Sequence, residues 1–175
     1  THISNVLGTI NPVAEMCHMA RKRNIVTLID GAQALPHGMV DLQEVGCDFY
    51  TFSGHKVFGP DGIGVLFGRR ELLDAMPPYQ TGGGMVERVS FEGTTFKAVP
   101  EKFEAGTPSI SGAIGLAAAF DYMADLDLKA VAEHERQLCD ATHTALAGIS
   151  GVKFQGMVPD KVSVISFTMD GVHPH

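Results

Sequence analysis

The sequence is poor in cysteine: Cys17, Cys47 and Cys139 are its only three, far apart and without a C-x-x-C pair. A sparse, odd set argues against a disulfide framework and reads as reduced thiols in a cytoplasmic protein. Long apolar runs are also missing, and nothing approaches the roughly 20 residues a membrane-spanning helix needs. Basic clusters are absent too. Thirteen Lys and Arg stand against 20 Asp and Glu, a net charge of -7, so nucleic acid is not an expected partner. The opening Thr1-His2-Ile3-Ser4-Asn5 lacks the basic and apolar parts of a signal peptide. Eight histidines form no zinc pattern, because neither Cys17-His18 nor His173-x-His175 has the partners or spacing of a site; no metal is expected. Gly82-Gly83-Gly84 is not followed by Gly-Lys-Ser/Thr, so it is no phosphate-cradling loop and by itself reads as a hinge.

What is present is a globular composition, with 45% hydrophobic and 19% charged residues in 175. That length suits one ordinary domain, or one domain and a piece of another. The chain starts at Thr1 almost directly in structure and stops at His173-Pro174-His175 after an apolar run. Both ends read as cut, and a fragment is expected.

Residues 12–24 read as a helix with Asn11 as cap, Pro12 in the first turn, and Val13, Met16, Cys17 and Ala20 on one face. The run Ile25–Ile29 is apolar and β-branched without alternation, which predicts a strand covered on both faces, as in a parallel sheet. Cys47–Phe52 reads as a second such strand. Ile63–Phe67 reads as a third, joined closely enough to pair antiparallel with the second. A short helix is expected over Arg69–Ala75. No periodicity marks residues 77–108, a length that in a compact domain points to a functional or interfacial segment. Helices follow over Ser111–Met123, rich in small residues, and Leu128–Ile149. Strands are expected at Val152–Phe154 and Val162–Phe167. A domain boundary near Asp125 divides residues 1–124 from residues 125–175.

Asp30 ends the first buried strand, and Ser53, His55 and Lys56 end the second. In open α/β sheets ligands bind outside such strand ends, so a carboxylate, a hydroxyl, an imidazole and an amine are expected to face one crevice. Glycines at 31, 54 and 59 permit the turns and close approach that such a loop needs. Singly, each residue has an ordinary reading: Asp30 as a turn or cap residue, Lys56 as a solvated lysine, Ser53 and His55 as strand-end hydrogen bonders, Thr107-Pro108 as a turn. All three cysteines read as structural.

Taken together, Asp30-Gly31-Ala32-Gln33 and Ser53-Gly54-His55-Lys56-Val57-Phe58-Gly59-Pro60 resemble the cofactor site of class V fold-type I pyridoxal-phosphate enzymes. Ser4-Asn5-Val6-Leu7-Gly8, Pro36-His37, Met76-Pro77-Pro78-Tyr79 and Glu104-Ala105-Gly106-Thr107-Pro108 resemble, more narrowly, the SufS-type (group II) cysteine desulfurases. The resemblance runs from Thr1 to His175. It implies an α/β large domain, a mostly parallel sheet flanked by helices, and the start of a small α+β domain. It implies pyridoxal 5'-phosphate as cofactor, joined to Lys56 as an imine. Asp30 would pair with the pyridinium nitrogen, Gln33 would meet the phenolic oxygen, and Ser53 and His55 would hold the phosphate. Thr107 would reach the phosphate in the other subunit of a homodimer, and Asn5 would contact the substrate carboxylate. The implied reaction removes sulfur from L-cysteine (L-selenocysteine is a further substrate), leaving alanine and passing sulfur to a SufE- or SufU-type acceptor for iron–sulfur cluster assembly. The family's sulfur-accepting cysteine, substrate-clamping arginine and ring-stacking histidine have no counterpart here, so the segment alone is expected not to turn over. Selenocysteine lyases, kynureninase-like hydrolases and class V aminotransferases share the lysine and aspartate, and a non-catalytic scaffold of the same fold stays open as well.

Overall fold

The computed structural model describes residues 1–173. Helix α1 spans Val13–Arg21 and buries Val13 and Cys17, one turn apart on the same face. Met16, expected on that face, is instead exposed. Asn11 is not the cap: Pro12 takes that position, and the Asn11 amide donates to the Thr1 carbonyl at 2.9 Å. The helix stops earlier than its pattern implies because Asn24 turns into the left-handed region (φ 55°) and the Ile25 N–H bonds back to the Ala20 carbonyl.

Strand β1 (Leu28–Asp30) pairs in parallel with β2 (Phe49–Ser53), Asp30 lying opposite Thr51. Between them the short helix α2 (Leu42–Val45) is capped by the Asp41 carboxylate and closed by Gly46 at φ 65°. Strand β3 (Gly64–Gly68) pairs antiparallel with β2, as its short connection leads one to expect. The sheet order is β1-β2-β3.

Only one face of this sheet is well covered. Ile29 and Tyr50, register partners, join Val13, Cys17, Val45 and Cys47 in a core cluster, each such burial stabilising by about 1.5–3 kcal/mol. Ile25, Val26 and Leu28 are more than half exposed. On the opposite face Phe49 is buried, while Leu28 is exposed in this chain, and β1 is three residues long.

The expected short helix is α3 (Arg70–Ala75). The stretch that lacked periodicity holds an unforeseen antiparallel hairpin, β4 (Val86–Ser90) with β5 (Gly93–Phe96). Most of its residues are exposed, which is why no apolar alternation marks it. Lys102 fastens the following loop to the end of α3, donating to the Asp74 and Met76 carbonyls at 3.0 and 2.9 Å.

Helix α4 (Ile110–Ala124) packs Leu116 and Met123 against Val57, with Phe52 and Ile63 around them. Its small residues allow that approach: a Cβ on Gly115 would lie 2.5 Å from Pro60 Cγ. Helix α5 (Leu128–Ala147) starts at Asp127, whose carboxylate accepts from the Lys129 and Ala130 N–H groups. Strands β6 (Val152–Gln155) and β7 (Ser166–Met169) pair antiparallel. The strand expected from Val162 begins only at Ser166. Residues 162–165 instead follow the amino-terminal turn, where the Val162 N–H bonds to the Gly8 carbonyl at 2.9 Å and Thr9 bridges Lys161. A further tie joins His37 Nδ1 and Glu135 of α5 at 3.0 Å. No helix among the described residues is long and apolar enough to cross a membrane.

Candidate active site

The carboxyl ends of β1 and β2 lie side by side because the strands are parallel. Register puts Asp30 beside Thr51, and residues two apart in a strand share a face, so Asp30 and Ser53 belong to the same side of the sheet. Past Ser53 the chain makes one tight 3-10 turn, Gly54–Lys56. The Gly54 N–H bonds to Ile63, and both Val57 and Gly59 return their N–H groups to the Gly54 carbonyl. Glycine is required there: a Cβ on Gly54 would lie 2.7 Å from Ile63 Cγ2, and one on Gly59 would lie 2.9 Å from the Gly54 oxygen. The turn is thus packed tightly from below by Ile63 and α4. His55 is exposed, while Ser53, Lys56 and Gln33 are half-buried.

Asp30 uses one carboxylate oxygen to accept from the Ala32 N–H at 2.9 Å. The side chains of Gln33, Ser53, His55 and Lys56 have no hydrogen-bond or ion-pair partner among the described residues. A carboxylate with a single hydrogen bond, beside an amine, hydroxyl, imidazole and amide without partners among the described residues, suits a small ligand carrying a basic ring nitrogen, an aldehyde and a phosphate. The donor set fits pyridoxal phosphate. Four clefts of about 620, 450, 470 and 200 Å³ are lined by other residues. Among the described residues this rim at the strand ends is bordered by the β2–β3 turn, which α4 supports through Leu116 beside Gly59.

Asn5 lies on an exposed turn held by Ser4, whose hydroxyl accepts from the Val6 and Leu7 N–H groups at 3.3 and 3.1 Å. That segment meets the rim through its backbone, the His2 N–H donating to the Asp30 carbonyl at 2.7 Å. Thr107 is exposed on a separate loop, where the Gly106 N–H bonds to Gly83 at 2.8 Å. Among the described residues Thr107 makes no hydrogen bond to Asp30 or Lys56. The Gly82-Gly83-Gly84 segment therefore serves as packing partner of the Thr107 loop.

The cysteines are elsewhere. Cys17 and Cys47 are buried in one core cluster and Cys139 is half-buried on α5. Burial first, then the neighbouring Cys17, pushes the Cys47 thiol up from its ordinary value. No cluster of three or more His, Cys, Asp or Glu among the described residues forms a metal-ligand group. Of the histidines singled out for a metal reading, His175 lies outside the described residues.

Sequence reasoning missed two residues under the rim. Tyr50, 2% exposed, meets His2 Nδ1 through its hydroxyl at 2.9 Å. Burial, then Cys47 and Asp30, pushes that hydroxyl up to about 12. The available signal was a bulky aromatic in β2 facing a glycine directly after β1.

Comparison with known proteins gives the fold its place. The family model described as aminotransferase class-V matches residues 1–175. The chain belongs to that family. Class V members use pyridoxal 5'-phosphate, in keeping with the donor set at the strand ends. A probable cysteine desulfurase of Xylella fastidiosa (strain 9a5c) is 47% identical over 175 residues, covering 100% of this chain and 42% of its own length. A cysteine desulfurase of Escherichia coli O127:H6 is 47% identical over 176 residues, covering 100% of the chain and 43% of its own length. The crystal structure of the Escherichia coli cysteine desulfurase CsdA (S-sulfonic acid) superposes with a TM-score of 0.92 at 42% identity, covering 98% of this chain and 43% of that one. The class V chain described here thus spans about 42% of the length of the curated relatives it matches.

Proposed function

We propose that this class V chain is the cofactor-carrying part of a SufS-type (group II) cysteine desulfurase. The observation that carries the reading is the unspent polar rim at two parallel strand ends, Asp30 on one and Ser53–Lys56 on the next. It stands in a chain 47% identical along its whole length to proteins named cysteine desulfurase. When bound, pyridoxal phosphate supplies an electron sink that lets bonds at the substrate α-carbon and beyond be broken.

The chain's own residues have these roles. The Lys56 amine would form the covalent link to the cofactor and, when free, would hold and return the substrate α-proton. The Asp30 carboxylate would pair with the ring nitrogen and favour its protonated form, and Gln33 would donate to the phenolic oxygen. Ser53 and His55 bind the phosphate, their turn fixed by the Gly54, Val57 and Gly59 hydrogen bonds. Asn5 contacts the substrate carboxylate, and Thr107 reaches the cofactor phosphate of a second copy in a homodimer. Residues 1–124 belong to the large cofactor domain and residues 125–175 begin a small one. The substrate is L-cysteine, the product alanine, and sulfur leaves to a SufE- or SufU-type acceptor for iron–sulfur cluster assembly in the cytoplasm. None of the three cysteines here is the sulfur acceptor, since two are buried and none is at the rim.

The test uses the protein encoded by the complete reading frame that contains this sequence. With pyridoxal phosphate it develops a visible absorbance band and releases alanine and sulfide equivalents from L-cysteine; Lys56→Ala shows neither. A parent protein that binds the cofactor but leaves L-cysteine untouched refutes the desulfurase reading.

A further inference from the structure

Asp30 needs an explanation for its position. It ends the three-residue strand β1, and its carboxylate has one hydrogen bond among the described residues, from the adjacent Ala32 N–H. A strand end with so little side-chain anchoring depends on whatever else fixes its backbone. The fixing group lies directly underneath. The His2 N–H bonds to the Asp30 carbonyl at 2.7 Å, and the Gly31 N–H bonds to the Thr51 carbonyl at 2.8 Å. Gly31 rests on the Tyr50 ring so closely that a Cβ would lie 2.0 Å from Cε1 and Cζ. The ring in turn is held by its hydroxyl, 2.9 Å from His2 Nδ1, with the two rings edge to face at 6.1 Å and 89°. The contacts close a circuit from His2 through Tyr50, Gly31 and Asp30 back to His2.

We infer that Tyr50 and His2 are positioning residues that fix Asp30 in register with the cofactor's ring nitrogen. The inference rests on the cofactor reading given above. Burial lowers the His2 imidazole from its ordinary value, which favours its uncharged form. The Tyr50 hydroxyl, pushed up to about 12, keeps its proton, so the hydrogen bond joins two uncharged groups. The group against Gly31 is therefore an uncharged phenol, which shapes the backbone without neutralising the Asp30 carboxylate.

Tyr50→Phe keeps the ring under Gly31 and removes the hydroxyl; His2→Gln removes the imidazole and keeps the backbone N–H. Both, and their combination, are made in the protein from the complete reading frame, with Asp30→Asn as reference. Three quantities are read: cofactor affinity from the visible band, the pH midpoint of that band, and the apo-protein melting temperature. Each single variant is expected to weaken cofactor binding about tenfold, the equivalent of one net hydrogen bond. Each shifts the band's pH midpoint in the same direction as Asp30→Asn, and the double variant does no more than either single one, because both break the same circuit. A lower melting temperature with unchanged affinity and midpoint would overturn the inference and leave the cofactor reading standing. A parent with no visible band would overturn both. If Tyr50→Phe does not fold, the midpoint of the His2→Gln variant decides.

Discussion

The two ends of the central sheet use the same kinds of residue to opposite effect. At the amino end, Asp48 is satisfied from three directions. One carboxylate oxygen accepts from the Thr27 N–H at 2.8 Å and its hydroxyl at 3.0 Å, and the other meets Arg69 at 3.3 Å. That network ties the starts of β1 and β2 to the end of β3. At the carboxyl end, Asp30 is bound only by its neighbour's N–H, and the polar side chains around it find no partner among the described residues. A charge that is fully hydrogen-bonded contributes to holding the fold. One that is held in place by packed backbone and left unspent is available to a ligand. The comparison teaches that the type of residue does not mark the site; the state of its hydrogen bonds does.

The largest expected effect falls at the open end. Lys56→Arg, which keeps the charge and removes the nucleophilic amine, abolishes the visible cofactor band completely while the melting temperature of the apo protein stays within a degree or two of the parent, as expected where a substitution touches no packed neighbour. Next comes the boundary between the ends. Gly31→Ala drives a methyl into the buried Tyr50 ring and costs about 3 kcal/mol or more by overpacking, measured by denaturant unfolding. A well-folded Gly31→Ala would break the claim that Tyr50 fixes the rim.

At the closed end, Asp48→Asn loses about 2 kcal/mol, the range for hydrogen bonds to a charged group. Burial raises the Asp48 carboxyl, but the Thr27 N–H, the Thr27 hydroxyl and Arg69 together outweigh it and hold the group below its ordinary 3.8. Its stabilisation is therefore complete above that value and disappears as pH falls through the lower folded one, so the parent's acid-unfolding curve is steeper there than that of Asp48→Asn. Tyr50 works in the opposite sense. Its hydroxyl moves from 10.0 up to about 12, so the folded state holds a proton that the unfolded state gives up, and stability is lost as pH rises between those values. Tyr50→Phe flattens the alkaline limb. The smallest effect belongs to neither end: the Arg70–Asp74 pair on α3 is exposed on both sides, and Asp74→Ala changes stability by no more than about 0.5 kcal/mol.

Much of this architecture was legible from local pattern. The apolar runs before Asp30 and Ser53 predict adjacent parallel strands, the short link to Ile63 predicts an antiparallel third, and the small residues of α4 predict close packing, met at Gly115 and Pro60. The β4–β5 hairpin was not legible, because Val86–Ser90 lies open to solvent and carries no alternation. Nor was the path of residues 162–165, whose apolar character suits a strand but whose first N–H, that of Val162, goes to Gly8 of the amino-terminal turn while that of Val164 turns back to the Val162 carbonyl. For the site, the places of Asp30, Ser53, His55 and Lys56 at two strand ends were legible from the runs before them, whereas Gln33, Asn5 and Thr107 were pointed to by resemblance alone. His2 and Tyr50 were not, since a histidine and a strand tyrosine 48 residues apart announce no contact.

The order of the residues alone determined which groups stand at the ends of β1 and β2, because strand formation depends on short apolar runs and their glycine breaks. Tertiary structure decided which of those groups are already used. Register, burial and the meeting of distant side chains closed the network around Asp48 and left the one around Asp30 open. Hydrogen-bond satisfaction depends on what lies a few ångströms away, and that distance is set only when the chain has folded.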